Sequence, residues 1–181
     1  MRKLDKTVVL VGMMGAGKTS VGRRLASALA VPFRDADNEI ETAAGCSINE
    51  IFERFGEPAF RAGERKVIAR LLGEPPHVLA TGGGAFMDPE TRERIRETAV
   101  SVWLRANVDL LLERVKRKDN RPLLRNTDSR AALVRLIGER EPVYALADIV
   151  VESDDGPHDT VVKRIISALQ THGAMPCNEG A

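Results

Sequence analysis

The apolar run Val8-Val9-Leu10-Val11 passes directly into Gly12-Met13-Met14-Gly15-Ala16-Gly17-Lys18-Thr19, and the residues from there to Ala30 read as an amphipathic helix. A buried strand that ends in a glycine-rich turn and restarts as a helix is a phosphate-binding loop: its backbone N–H groups and the helix N-terminus form a nest for polyphosphate oxygens. Lys18 is placed to carry charge to the β- and γ-phosphates, Thr19 to offer a hydroxyl to Mg²⁺, and Ser20 continues the loop into the helix. The motif specifies a bound nucleoside triphosphate. It does not specify what receives the phosphate.

Further strand-like runs lie around Pro32 to Arg34, at His77 to Thr81, Ala99 to Leu104 and Asp148 to Glu152. Helical patterns separate them: one marked by Ile48, Ile51, Phe52 and Phe55, then Pro58 to Leu72, Pro89 to Glu97, Val108 to Lys116, Ser129 to Tyr144 and His158 to Thr171. This alternation predicts a parallel sheet covered on both faces, with ligands outside the carboxyl ends of the strands. Segments that follow strands are therefore the site candidates, and helix surfaces are not. The 181 residues suit one α/β domain, expected over residues 1–172, with residues 173–181 as a frayed tail.

Lys plus Arg total 27 against 26 Asp plus Glu, a net charge of +1 that offers no global field for nucleic acid or an anionic membrane. No apolar run reaches the roughly 18 residues of a membrane span. Cys46 and Cys177 lack metal-ligand spacing, and a reducing cytosol fits them.

Five constellations follow the loop. Asp35-Ala36-Asp37 comes after the second strand; in extended chain the two carboxylates face the same way, one toward Mg²⁺ and the other toward a substrate hydroxyl whose proton it can take. An aspartate there also suits a helix N-cap. Thr81-Gly82-Gly83-Gly84-Ala85, after the third strand, lets a ligand touch backbone. Phe60-Arg61 opens a helix near Phe52 and Phe55, and the Arg61 fork suits a substrate carboxylate. Arg114, Lys116, Arg117, Lys118, Arg121 and Arg125 form a basic stretch broken by Asp119, Asn120 and Pro122, which reads as a mobile lid in which Arg121 reaches the transferring phosphoryl group. Arg140-Glu141-Pro142-Val143-Tyr144 then supplies a second arginine for an anionic acceptor.

Six of these motifs in order resemble the shikimate kinases: the loop Gly12 to Thr19, Asp35-Ala36-Asp37, Phe60-Arg61, Gly82-Gly83-Gly84, Arg121-Pro122-Leu123-Leu124 and Arg140-x-Pro-x-Tyr144. The resemblance implies a three-layer α/β/α fold with a central five-stranded parallel sheet in the order 2-3-1-4-5 and a lid over about residues 116–128. It implies transfer of the ATP γ-phosphoryl group to the 3-hydroxyl of shikimate, on the route to chorismate and aromatic amino acids. Lys18, Asp37 and Arg121 are then catalytic. Gly12, Met13, Met14, Gly15, Ala16, Gly17, Lys18, Thr19, Ser20, Arg114 and Arg121 bind nucleotide, with Arg114 stacking on adenine. Asp37, Arg61, Gly82, Gly83, Gly84, Arg140, Phe52 and Phe60 hold shikimate, and Thr19 and Asp35 serve one Mg²⁺. A cytoplasmic monomer without nucleic-acid or membrane partners is expected. The chain departs from many members after the Phe-Arg pair, where Ala62-Gly63 precede Glu64. Two rival readings are a kinase of gluconate or a nucleoside monophosphate on the same fold, and a catalytically silent nucleotide-binding module.

Overall fold

A computed structural model describes residues 4–117 and 129–175. Five strands, β1 (Thr7–Val11), β2 (Phe33–Asp35), β3 (Val78–Ala80), β4 (Ala99–Arg105) and β5 (Ile149–Glu152), alternate with helices α1 (Lys18–Leu29), α2 (Ala36–Ala44), α3 (Ile48–Leu72), α4 (Pro89–Thr98), α5 (Val108–Lys116), α6 (Ser129–Tyr144) and α7 (His158–Thr171). A short 3₁₀ turn spans Ala85–Met87. The strands form one sheet in the order β2-β3-β1-β4-β5, and every pairing is parallel. β1 is central: Val9 sits opposite Leu79 of β3 and Ser101 of β4, and all five residues of β1 are buried. A strand paired on both edges and covered on both faces has to be apolar throughout, which explains the uninterrupted Val8 to Val11 run.

α1 turns Val21, Leu25 and Leu29 onto the sheet, and Gly22 permits its close approach to β2, since a Cβ there would lie 2.6 Å from the Phe33 ring. α3 begins with a capping box, in which the Ser47 hydroxyl accepts from the Glu50 amide while the Glu50 carboxylate accepts from the Ser47 amide. Such a cap stabilises a helix start by about 1 kcal/mol. The helix breaks at Gly56, whose φ of 80° and ψ of 172° are not helical. Two expected helices are thus one element with an internal break.

The first clear difference from the sequence reading is α2. Asp35 does not continue an extended chain to Asp37; its carboxylate caps α2 by accepting from the Asp37 and Asn38 amides, so Asp37 occupies the first helical turn. The segment Ala36 to Ala44 buries only Ala36 and Ile40, too little for a visible apolar period. Packing also runs past the expected domain end, because Ala174 and Met175 are buried against the core. Residues 176–181, with Cys177, lie outside the described residues, as do 118–128. Among the described residues no helix is long and apolar enough to cross a membrane.

Candidate active site

Two adjoining pockets open at the carboxyl ends of β1, β2 and β3. The first is lined by the loop residues Gly15, Gly17, Lys18, Thr19 and Ser20, together with Asp35, Arg114, Arg117 and His158. The second is lined by Ile48, Phe52, Phe60, Arg61, Glu64, Gly84 and Arg140, with Met14 at its edge. Asp37, Gly82 and Gly83 line both. The junction between the pockets is therefore a carboxylate and two side-chain-free residues, a place where two ligands can meet end to end.

In the first pocket the turn adopts backbone that only glycine takes easily, with φ of 140° at Gly12, 82° at Gly15 and 94° at Gly17. The Lys18 ammonium is nearly buried and donates to the carbonyls of Gly12, at 2.7 Å, and Met13, at 2.9 Å. Those bonds hold a cation over the loop that residues Gly12 to Ala16 build. The Thr19 hydroxyl donates to Asp35 Oδ2 at 2.8 Å, while Asp35 Oδ1 serves the α2 cap. Asp35 thus caps α2 with one oxygen and meets the Thr19 hydroxyl with the other.

Arg114 lies at the rim. Its Nη1 donates to the carbonyls of Gly15 and Ala16 and to the Ser153 hydroxyl, and its Nη2 to the Asp154 carbonyl. Ser153, buried, also donates to the Ala16 carbonyl at 2.9 Å, so the segment after β5 is tied to the phosphate loop from behind. His158, the first residue of α7, faces this pocket; partial burial and the neighbouring Arg24 and Arg114 lower its pKa, with Asp159 opposing them.

The second pocket gathers the arginines. Arg61 Nη1 donates to Glu64 Oε2 at 2.7 Å, Nη2 reaches Glu57 at 3.4 Å, and the guanidinium lies over the Phe60 ring at 5.1 Å. Gly84 is what makes room for it: a Cβ at Gly84 would fall 2.5 Å from Arg61 Nη2. Phe60 is buried and pairs with Phe52 at a centroid distance of 4.8 Å, so these two rings are core and pocket wall at once. Arg140 is only 7% exposed, and its Nη1 has no hydrogen-bond partner among the described residues. A buried guanidinium nitrogen left unpaired is costly unless an anion meets it.

Glu64 is the residue that sequence reasoning undervalued. It is 3% exposed, Oε1 is unpartnered among the described residues, and burial pushes its pKa up, against the pull of Arg61 and Arg140 and with a push from Asp37. Its signal was the three-residue spacing from Arg61, which places both on one helix face. Ile48, Thr81, Arg117 and His158 also line the pockets without having been singled out as ligand contacts. Much of the second pocket comes from α3 and α6, helix surfaces that the strand-end rule passes over. Of the expected site residues, Arg121 lies outside the described residues, with nearly all of the expected lid. The structure brings Lys18, Thr19, Ser20, Asp35, Asp37, Arg61, Gly82, Gly83, Gly84, Arg114, Arg140, Phe52 and Phe60 to the two pockets.

Comparison with known proteins agrees with this geometry. A family model described as shikimate kinase matches residues 14–170. A shikimate kinase of Caulobacter vibrioides strain NA1000 is 64% identical over 165 residues, covering 91% of this chain and 82% of the relative. One from Paramagnetospirillum magneticum is 56% identical, covering 94% of this chain and 87% of the relative. The solved shikimate kinase from Acinetobacter baumannii in complex with shikimate superposes with a TM-score of 0.89 at 38% identity, covering 92% of this chain and 93% of that one. A gluconokinase from Sinorhizobium meliloti shares the fold at a TM-score of 0.61 but only 19% identity, over 94% of each chain. With a family model spanning most of its length and relatives above half identity, the chain belongs to the shikimate kinase family.

Proposed function

We propose that the two pockets divide the family reaction between a donor and an acceptor side, with Asp37 at the seam. Family membership makes the chain an ATP-dependent kinase of shikimate. The product is shikimate 3-phosphate, on the way to aromatic amino acids. The observation that carries the assignment of sides is the buried Arg140 Nη1, without a hydrogen-bond partner among the described residues, in the same pocket as Arg61 and one wall away from the phosphate loop. A small ring bearing a carboxylate satisfies that nitrogen and the Arg61 fork together.

On the donor side the amides from Gly12 to Thr19 and the Lys18 ammonium receive the triphosphate, and Arg114 takes the adenine. Thr19 and Asp35 fit one Mg²⁺: a hydroxyl and a carboxylate oxygen, 2.8 Å apart, are hard donors at the loop. Water and phosphate oxygens would supply most of the ion's remaining ligands. When bound, it neutralises charge on the β- and γ-phosphate oxygens.

On the acceptor side Arg61 and Arg140 hold the carboxylate, Phe52 and Phe60 cover the ring, and Gly82, Gly83 and Gly84 allow the backbone to reach it. Asp37 orients the 3-hydroxyl in line with the γ-phosphorus and accepts its proton as the new P–O bond forms. Little proton removal is needed before the bond to ADP breaks, because the transition state is loose. Positioning and charge neutralisation by Lys18 and Arg121 carry most of the rate. One chain supplies both pockets, and we assign a cytoplasmic monomer with neither nucleic-acid nor membrane partner.

Steady-state kinetics on two variants tests the division. Lys18→Ala is expected to lose kcat by roughly 10²-fold or more through the phosphate. Arg61→Ala is expected to raise the KM for shikimate with a small change in that for ATP. An unchanged shikimate KM in Arg61→Ala would overturn the carboxylate assignment.

A further inference from the structure

Tyr144 closes the last family-like motif of the chain, yet nothing in the reaction as assigned above uses it. It ends α6, one turn after Arg140, and is fully buried. Its ring packs against Trp103 of β4 at a centroid distance of 5.8 Å. Its hydroxyl donates to the backbone carbonyl of Gly83 and touches Met13 Sδ at 3.9 Å. Burial pushes its pKa up to about 12 against the pull of the neighbouring Arg140 and Arg61, so it remains a donor at any working pH.

The place it reaches is unusual in two respects. Within the triple-glycine turn, the Ala85 amide donates to Gly82 and the Met87 amide to Gly84, while the Gly83 carbonyl between them takes the Tyr144 hydroxyl. And the peptide that this carbonyl belongs to has glycine on both sides, so no Cβ resists its rotation about the flanking bonds. In a planar trans peptide the carbonyl and the following N–H lie on opposite sides. Fixing the Gly83 carbonyl therefore fixes the direction of the Gly84 N–H, in a residue that lines the acceptor pocket beside Arg61. Gly83 itself sits so close to Arg140 that a Cβ on it would lie 3.0 Å from Nη1.

We propose that Tyr144 is a positioning residue for the acceptor: its hydroxyl selects one orientation of the Gly83–Gly84 peptide and locks that turn to the helix that carries Arg140. The two walls that meet the acceptor, one backbone and one arginine, then hold a single relative placement before the acceptor arrives. The loop for ATP is built separately, by residues Gly12 to Ser20, and the hydroxyl meets it at Met13 Sδ. The inference rests on the acceptor reading of the second pocket.

Tyr144→Phe keeps the ring against Trp103 and removes only the hydroxyl. The expected result is a three- to tenfold higher KM and calorimetric Kd for shikimate, with kcat and the KM for ATP within about twofold. Trp103→Phe, which loosens the same aromatic packing but spares the hydroxyl, is expected to lower the melting temperature and leave the shikimate KM within twofold. An unchanged shikimate Kd in Tyr144→Phe, or an equal rise in Trp103→Phe, would overturn the proposal. Should Tyr144→Phe fold poorly, the wild type decides by NMR: one sharp Gly84 amide resonance without shikimate supports the lock, and a doubled or exchange-broadened one refutes it. Wild-type enzyme that shikimate does not stimulate at all would instead bring down the acceptor reading, and the proposal with it.

Discussion

Replacing Arg140 by methionine separates what the acceptor pocket contributes to binding from what it contributes to the fold. Arg140 is buried, and one of its guanidinium nitrogens has no hydrogen-bond partner among the described residues. A desolvated, charge-assisted pair of this kind costs about 2–5 kcal/mol when one partner is removed. Taking about 3 kcal/mol at 1.36 kcal/mol per factor of ten, kcat/KM for shikimate falls roughly 150-fold. Stability should behave differently. Methionine keeps the apolar stem and removes a buried charge whose desolvation is not fully offset within the chain, so the melting temperature should move by no more than about 3 °C. The assay is coupled ADP release with shikimate varied at saturating ATP, alongside calorimetric melting. A loss under fivefold in kcat/KM, or an ATP KM that rises in step with that for shikimate, would refute the assignment of this nitrogen to the acceptor carboxylate.

Two further substitutions probe the neighbours of that nitrogen. Burial holds the folded pKa of Glu64 above 4.5, so its protonated form is the better folded one; the stabilisation is complete below that pH and lost as pH rises through the folded pKa. Melting curves of wild type and Glu64→Gln should therefore diverge in favour of the variant as pH is raised from about 4.5, and a difference that does not change with pH would remove Glu64 as the cause. Gly84→Ala pushes a methyl against the movable end of Arg61 rather than against backbone, with Nη2 only 2.5 Å from the new atom. Its shikimate KM should rise about tenfold while the melting temperature changes by less than about 4 °C, and a large drop in melting temperature with KM unchanged would contradict this.

How far the chain could be read in advance follows from where its physics is local. The phosphate loop needs a strand, a turn with positive φ and a helix start, all within consecutive residues, and Gly12 to Thr19 show each of them. α5, α6 and α7 have the ends that the sequence pattern placed at Val108 and Lys116, Ser129 and Tyr144, and His158 and Thr171. α2 escaped because its stability comes from the Asp35 cap and an acidic first turn rather than from an apolar stripe. That cap also moved Asp37 out of the extended geometry expected for it, although both aspartates still line the pocket at the phosphate loop. Glu64 reads as a solvated helix charge in sequence, since burial arises only when α3 packs beside the triple glycine; Gly82 would place a Cβ 3.2 Å from its Oε1. The partners of Arg114 are equally invisible, because Gly15 and Asp154 meet it across 99 and 40 residues. The sheet order came through family resemblance and is the one observed.

On the proposed division of the site, the pocket beside the phosphate loop takes a small hydroxylated carboxylate of the shikimate type. Coupled ADP release by the wild-type chain, measured in parallel with shikimate, quinate, gluconate and nucleoside monophosphates as acceptors, tests it most directly. Strong stimulation by shikimate is expected, with kcat/KM values at least about 100-fold lower for gluconate and the nucleotides, which do not match the paired arginines and the ring-covering phenylalanines. No stimulation by shikimate, or a higher kcat/KM with gluconate or a nucleoside monophosphate, would contradict it.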